Sequence, residues 1–440
     1  MIQSIQHKGI LLHECSVPGE TRAEDRYPGN ANGLQVSRDR FMMVYTTRGY
    51  RGTDDNLSVI WQLRDGSYDG PVISEGRVVE SIDDWDPLDT GISCVRAHLH
   101  PVAFGVPKGA VIDGRPAPHS NLFVLKWIRK ARYIDPGTGY MPNVKETDPW
   151  LQANTECVEW AQLRLNDRED EMEVVQPVGV MRQRGFESAY AFCDADVQWM
   201  SQTFTQPVPF NEDATEWVDF NFFNQKRIAA IRYAFNATRG VYEWVQTGPL
   251  ISGGLVEGSV HRYDDAWVIS ARTWSSVKAP RGGPVAWMRT RDPFDEVPEI
   301  VYPPEPNTTS PLTSFVCADG VLRLITNDLR ISPYGHHRNP LYCWDIDPDQ
   351  GFAASNVRVI FDSKKAGVPI RPEAGICIDQ AKVLPHAGGD TQYVIHRVRP
   401  VAINDPKKIG VQINDQDKEP AGNYYAAFRY TEAYPGQWSF

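Results

Sequence analysis

Apolar and polar residues alternate along this chain in short runs, and helical spacing is almost never sustained. Lys8 to His13 is the first alternating run. Residues 26–76 then hold Phe41-Met42-Met43-Val44-Tyr45 and Leu57 to Leu63, closed by Asp65-Gly66-Ser67-Tyr68-Asp69-Gly70-Pro71. Period-two runs bounded by Gly, Pro, Asn and Asp predict antiparallel strands joined by turns. Residues 90–179 repeat the pattern with strands over Cys94 to Phe104, Asn121 to Lys130 and Val158 to Leu165. Tyr133 to Thr155, rich in Pro, Gly, Asp and Asn, interrupts them as a surface loop. Further units span 186–250, 251–303, 311–363 and 374–435, each with three or four short strands.

A unit of roughly 50–80 residues repeated six times predicts an all-β, six-bladed β-propeller in a single domain over residues 1–440. Five or seven blades also fit, because strand boundaries read from sequence err by a few residues. The strand at Lys8 to His13 stands alone before the first blade. It is expected to complete the last one, since an open ring would leave sheet edges exposed.

Composition narrows the function. The 41% apolar fraction suffices for a core, and 34 Gly with 33 Pro suit many turns. A net charge of -11, spread along the chain, argues against nucleic acid and against a polybasic membrane contact. Seven scattered cysteines without a CxxC pair indicate neither a zinc site nor a disulfide framework, so buried free thiols are expected. The N-terminus lacks an apolar signal core, and no stretch approaches the roughly 20 apolar residues of a membrane span. A soluble cytoplasmic protein is expected, or a secreted one if a signal segment was removed. No cofactor is implied, and no sequence feature sets the oligomeric state.

Arg26-Tyr27-Pro28 resembles the Arg-Ile-Pro motif that opens the sialidase (neuraminidase) fold. Thr47-Arg48-Gly49 followed by Asp54-Asp55 is similar to that family's arginine loop and acid/base aspartate. Ser270-Ala271-Arg272 resembles its Asn-Ala-Arg segment, and Arg338, just before a strand, resembles its third arginine. Asn236 to Trp244 is similar to a degenerate Asp-box hairpin. The resemblance implies a carbohydrate substrate whose carboxylate is held by Arg26, Arg272 and Arg338, with Arg48 nearby. Guanidinium forks suit that task, because charge-assisted bonds to a carboxylate are worth roughly 1.5–3 kcal/mol each.

By the same resemblance Glu257, one hairpin before Arg272, matches a glutamate that activates a tyrosine nucleophile. Asp54 and Asp55 are the acid candidates. Neighbours in an extended loop point opposite ways, so at most one acts, and Asp54 is preferred. The chain departs from the family where the tyrosine should stand: Gly375-Ile376-Cys377-Ile378-Asp379-Gln380-Ala381 contains none. The reading is then a glycoside hydrolase acting on a terminal acidic or polar sugar without the tyrosine nucleophile. Glu257 serves as base or nucleophile, and inversion would need carboxyls about 6.5–9.5 Å apart rather than about 5–5.5 Å.

Two alternatives stay open. Tyr334, His336 and His337 beside Arg338 could abstract the proton next to a uronate carboxylate, as a polysaccharide lyase does. A glycan-binding propeller that kept only the clamp is the other. His98 and His100 alternate beside Arg96, and His98 is read as a substrate contact. No Cys or acidic residue stands at ligand spacing there, so no metal is assigned.

Overall fold

Strands rich in Val, Ile, Phe, Tyr and Trp bury one face against a neighbouring sheet, and here every sheet finds a neighbour on both sides. The computed structural model describes residues 1–12, 28–48, 56–80, 82–86, 89, 91, 94–132, 156–185, 200–202, 206–223, 227–273, 282–308, 310–334, 338–362, 374–402 and 422–440. Strand β1 (Ile2–Leu12) precedes blade 1, which is β2 (Pro28–Gln35), β3 (Arg40–Arg48), β4 (Asn56–Asp65) and β5 (Val72–Val79). Blade 2 begins with a short edge piece, β6 (Ile82–Trp85), paired to β7 (Cys94–Val106). After a small hairpin, β8 (Val111–Ile112) with β9 (Arg115–Pro116), it continues through β10 (Leu122–Arg132), β11 (Cys157–Leu165) and β12 (Met172–Val180).

In blade 3, β13 (Met200–Gln202) and β14 (Val208–Pro209) both pair with β15 (Glu216–Phe223), followed by β16 (Arg227–Asn236) and β17 (Val241–Thr247). Blade 4 is β18 (Leu255–Tyr263), β19 (Ala266–Thr273), β20 (Gly283–Thr290) and β21 (Asn307–Thr308). Blade 5 is β22 (Thr313–Val316), β23 (Leu322–Thr326), β24 (Leu341–Asp347) and β25 (Ala353–Phe361). The last sheet runs β26 (Ala374–Val383), β27 (Gly389–Ala402), β28 (Gly422–Tyr434) and then β1, so the N-terminal strand is its outermost member. The expected six-bladed β-propeller is thus the observed fold, and the described residues contain no α-helix.

The core is divided among the blade interfaces. Six apolar clusters occupy the six gaps between neighbours, one per gap around the ring. The gap between blades 2 and 3 holds Phe104, Trp160, Trp217, Tyr233, Tyr242 and Trp244. The gap between blades 6 and 1 joins Leu12, Leu384 and Ile395 to Met43 and Tyr45. The cysteines within the described residues, Cys94, Cys157, Cys317, Cys343 and Cys377, are buried free thiols.

Some inter-blade contacts are ionic. Lys126 of blade 2 reaches Asp219 of blade 3, and both side chains are fully buried. Tyr233 Oη accepts from Lys126 Nζ at 2.9 Å and donates to Asp219 at 3.2 Å, so the pair is closed by a third polar group. His396 is also fully buried, between Phe361 and Tyr424. Burial, with the nearby charge of His7, lowers its pKa to about 3.

Two expectations follow from these buried groups. Asp219→Asn should destabilise the chain by about 3–5 kcal/mol in urea unfolding, because it strands a buried ammonium. The double variant Lys126→Met/Asp219→Leu should lose much less. The second concerns acid. A neutral buried histidine binds fewer protons than its unfolded form below pH ~6.5, so its contribution is lost as pH falls toward about 3. The stability gap between wild type and His396→Phe should therefore narrow by on the order of 2 kcal/mol between pH ~7 and ~4. A gap independent of pH would show that His396 does not titrate in this way.

Candidate functional site

The strands β7, β18 and β26 carry the same irregularity. In β7 the residues Leu99 and Val102 oppose Ile128 and Lys126, three residues against two. In β18, Val256 and Ser259 oppose Arg272 and Ser270, and in β26, Asp379 and Lys382 oppose Arg397 and Ile395. Each is a β-bulge with one extra residue, and each holds a non-glycine residue at positive φ: His100 at 50°, Glu257 at 56° and Gln380 at 56°. Such backbone is sterically disfavoured for residues with a Cβ and is used to re-aim side chains. At β18 the bulge includes Gly258, whose missing Cβ would lie 3.0 Å from Phe220 Cβ of blade 3.

The bulge on β18 turns Glu257 toward Arg272, whose Nη1 lies 3.0 and 3.3 Å from its two carboxylate oxygens. Arg272 is only 5% exposed. Burial lowers its pKa, Glu257 and Asp379 oppose that, and the positive charge of Arg338 adds to the lowering. Arg338 and Arg272 therefore sense each other although they come from blades 5 and 4. Arg338 Nη1 donates to Asp379 Oδ2 at 2.5 Å, and Arg397 Nε donates to Asp379 Oδ1 at 2.9 Å. The carbonyl of Arg338 accepts from Ile378 N at 2.8 Å, which pins the loop before β24 to blade 6. The linked set comprises three guanidiniums, of Arg272, Arg338 and Arg397, and two carboxylates, of Glu257 and Asp379. Guanidiniums gathered in this way suit an anion, because a carboxylate matches their paired N–H donors.

A second ionic cluster sits on blade 2. Glu159 accepts from Arg96 at 2.8 Å to both oxygens, from Arg129 at 3.1 Å and from Trp127 Nε1 at 3.2 Å. Burial pushes the Glu159 carboxyl up, but Arg96 and Arg129 outweigh it, and its pKa is lowered overall. Both guanidiniums also lie over the Trp85 ring, at 5.9 and 5.2 Å from its centroid. His98 is fully buried beneath this cluster, 3.9 Å from Glu159 and edge-on to Trp127. Its backbone pairs with Asn56 and so joins blades 1 and 2.

Tyr334 Oη donates to Asp362 at 2.6 Å, and burial together with that carboxylate pushes its pKa up to about 12. The phenol is thus held protonated near neutrality. Arg26, Asp54, Asp55, His336 and His337 lie outside the described residues, as does the side chain of Arg48. Asp379, Arg397 and Lys382 received no role from sequence. The available signal was a charge inside an otherwise apolar alternating strand, as with Asp379 between Ile378 and the buried Ala381. Lys382 is buried, and burial lowers its pKa to about 7 against the opposing charge of Glu257.

No protein-family model matches the chain, and no curated protein sequence matches it. Solved structures do. A protein of unknown function from Dyadobacter fermentans superposes with a TM-score of 0.52 at 9% identity, covering 98% of this chain and 100% of that one. Trypanosoma rangeli sialidase gives 0.53 at 8% identity, covering 97% of this chain but only 60% of its own. NanB sialidase from Streptococcus pneumoniae gives 0.54 at 9% identity, covering 95% and 70%. The chain therefore shares the sialidase-like propeller fold, and at such identity the likeness concerns the fold alone.

The Asp379 carboxylate is the common anchor of two arginines, so its removal has a defined consequence. Asp379→Ala should cost about 3–5 kcal/mol, as expected for a broken buried pair. Added formate should raise the melting temperature of this variant more than that of wild type, by occupying the vacated position. Equal shifts in both proteins would mean that the two guanidiniums do not share that anion.

Proposed function

We propose that the chain is a glycoside hydrolase of sialidase type, acting on a terminal acidic sugar of a glycan. The observation that carries this is the convergence of three guanidiniums, of Arg272, Arg338 and Arg397, around the carboxylates of Glu257 and Asp379 at one end of the propeller. A sugar carboxylate entering there would meet guanidiniums already oriented by buried partners, which reduces the ordering lost on binding. Arg26 and Arg48 would complete the clamp from blade 1. Asp54, or its neighbour Asp55, would donate a proton to the leaving oxygen. Glu257 would serve as base toward a water, because the first strand of blade 6 offers no tyrosine between Gly375 and Ala381. The leech intramolecular trans-sialidase that shares this fold was complexed with 2,7-anhydro-Neu5Ac by soaking with 3'-sialyllactose, which supports a sialylated substrate here.

The test is a chromogenic screen of α-sialosides, uronides and neutral glycosides, with aglycone release and near-ultraviolet absorbance followed together. Release from an acidic glycoside is expected. Arg272→Ala and Arg338→Ala should each lower kcat/KM by roughly 10–100-fold, the loss of one charge-assisted contact. Glu257→Gln should abolish turnover, and the first product anomer seen by proton NMR should be inverted. A retained anomer would reject the water mechanism. An unsaturated product would instead mark a uronate lyase using Tyr334, His336 and His337. Sialic acid binding without turnover would mark a glycan-binding propeller.

A further inference from the structure

The end of the propeller opposite Glu257 and Arg272 encloses a cavity of about 500 Å³. It lies among the C-terminal ends of three strands, reached by Phe104 of β7, His261 of β18 and Lys382 of β26. The residues after β28 close it, with Trp438 packed on Trp217 at 6.2 Å between ring centroids. A space of this size suits a small molecule.

The lining has an unusual charge balance. In a chain of net charge -11, its described residues include Arg262 and Lys382 but no Asp or Glu. Lys382 is 6% exposed and lies between this cavity and Glu257 at the arginine end. Two histidines join Gln206, Gln392 and Gln437 among the polar groups of the wall. Nε2 of His261 and Nε2 of His386 are sealed from solvent, with no hydrogen-bond partner among the described residues. His386 is 7% exposed, and its Nδ1 sits 3.1 Å from the Pro435 carbonyl and 3.2 Å from Gly388 N. Nε2 of that ring donates or accepts according to which of the two Nδ1 engages. Burial lowers the pKa of His261 to about 4 against the opposing Ser314 backbone, so this ring is neutral near pH ~7. Buried polar atoms without partners are unfavourable, and a polar ligand would satisfy them.

We propose that this cavity is a second binding site, taking a small hydroxy carboxylic acid with an aromatic-sized apolar body. The carboxylate lies against Lys382, the body against Phe104, Trp217 and Phe315, and the hydroxyl bonds a histidine Nε2. This site lies at the other end of the ring from the arginine set, is linked to it only through Lys382 and Glu257, and does not depend on the hydrolase reading.

The probe is 4-hydroxycinnamate, titrated calorimetrically into the whole chain. One saturable site is expected, weakened about tenfold or more in Lys382→Met, as loss of a charge-assisted contact implies. Cinnamate, without the hydroxyl, and 4-hydroxycinnamyl alcohol, without the charge, should each bind several-fold more weakly. Val316→Trp, which fills the cavity from β22, should abolish binding and serves even if Lys382→Met fails to fold. Absence of a saturable site overturns the proposal. So does an unchanged Kd in Lys382→Met or Val316→Trp, or binding lost in Arg272→Ala but kept in Val316→Trp.

Discussion

The antiparallel pairing of β1 with β28 is the constraint on which the rest of this structure depends. Each blade buries its apolar faces only because both neighbours are present, and the gap between blades 6 and 1 is filled partly by Leu11 and Leu12 of β1 itself. An open ring would expose two sheet faces and two edges at once. Closure is also what brings the first strands of blades 4, 5 and 6 around one axis. Thr313 Oγ1 donates to the Ala381 carbonyl at 2.7 Å, and Ser270 Oγ donates to Ser314 Oγ at 2.8 Å, stitching these three blades together. The separation between Arg272 and Arg338 is therefore a property of the ring and not of either blade.

Within that frame the arginine set follows a consistent electrostatic logic. Guanidiniums brought together from different blades repel one another, and burial raises the penalty. The chain answers by placing carboxylates on bulged strands, where an extra residue aims Glu257 and Asp379 along the ring. The outcome is three guanidiniums held in place by buried carboxylates at one end of the propeller. The blade 2 cluster shows the same device in a more closed form, with Glu159 held by Arg96, Arg129 and Trp127.

Much of the architecture was legible because period-two alternation and turn residues are local signals. Strand limits such as Leu255–Tyr263 or Leu341–Asp347 fall within a few residues of the apolar runs that announce them. The contact of Glu257 with Arg272 was approachable for the same reason, since one hairpin relates them. What the sequence hides is register. Nothing in Asp379-Gln380-Ala381-Lys382 announces a bulge, so neither Asp379 nor Lys382 could be assigned a direction. His98 illustrates the opposite case: alternation marks it as facing one side, but only the packed structure places it beneath Glu159 with no exposed surface. Long-range partners such as Lys126 and Asp219 leave no local trace at all.

The closing seam has a mechanical side as well. Because β1 and β28 are antiparallel, the start of one lies beside the end of the other, and the ammonium of Met1 donates to Tyr434 Oη at 3.0 Å. Tension applied at residue 1 and at the end of β28 would load these pairs one after another, as a zipper is opened, instead of shearing them together. The seam that completes the ring thus yields pair by pair to traction applied where residue 1 meets the end of β28.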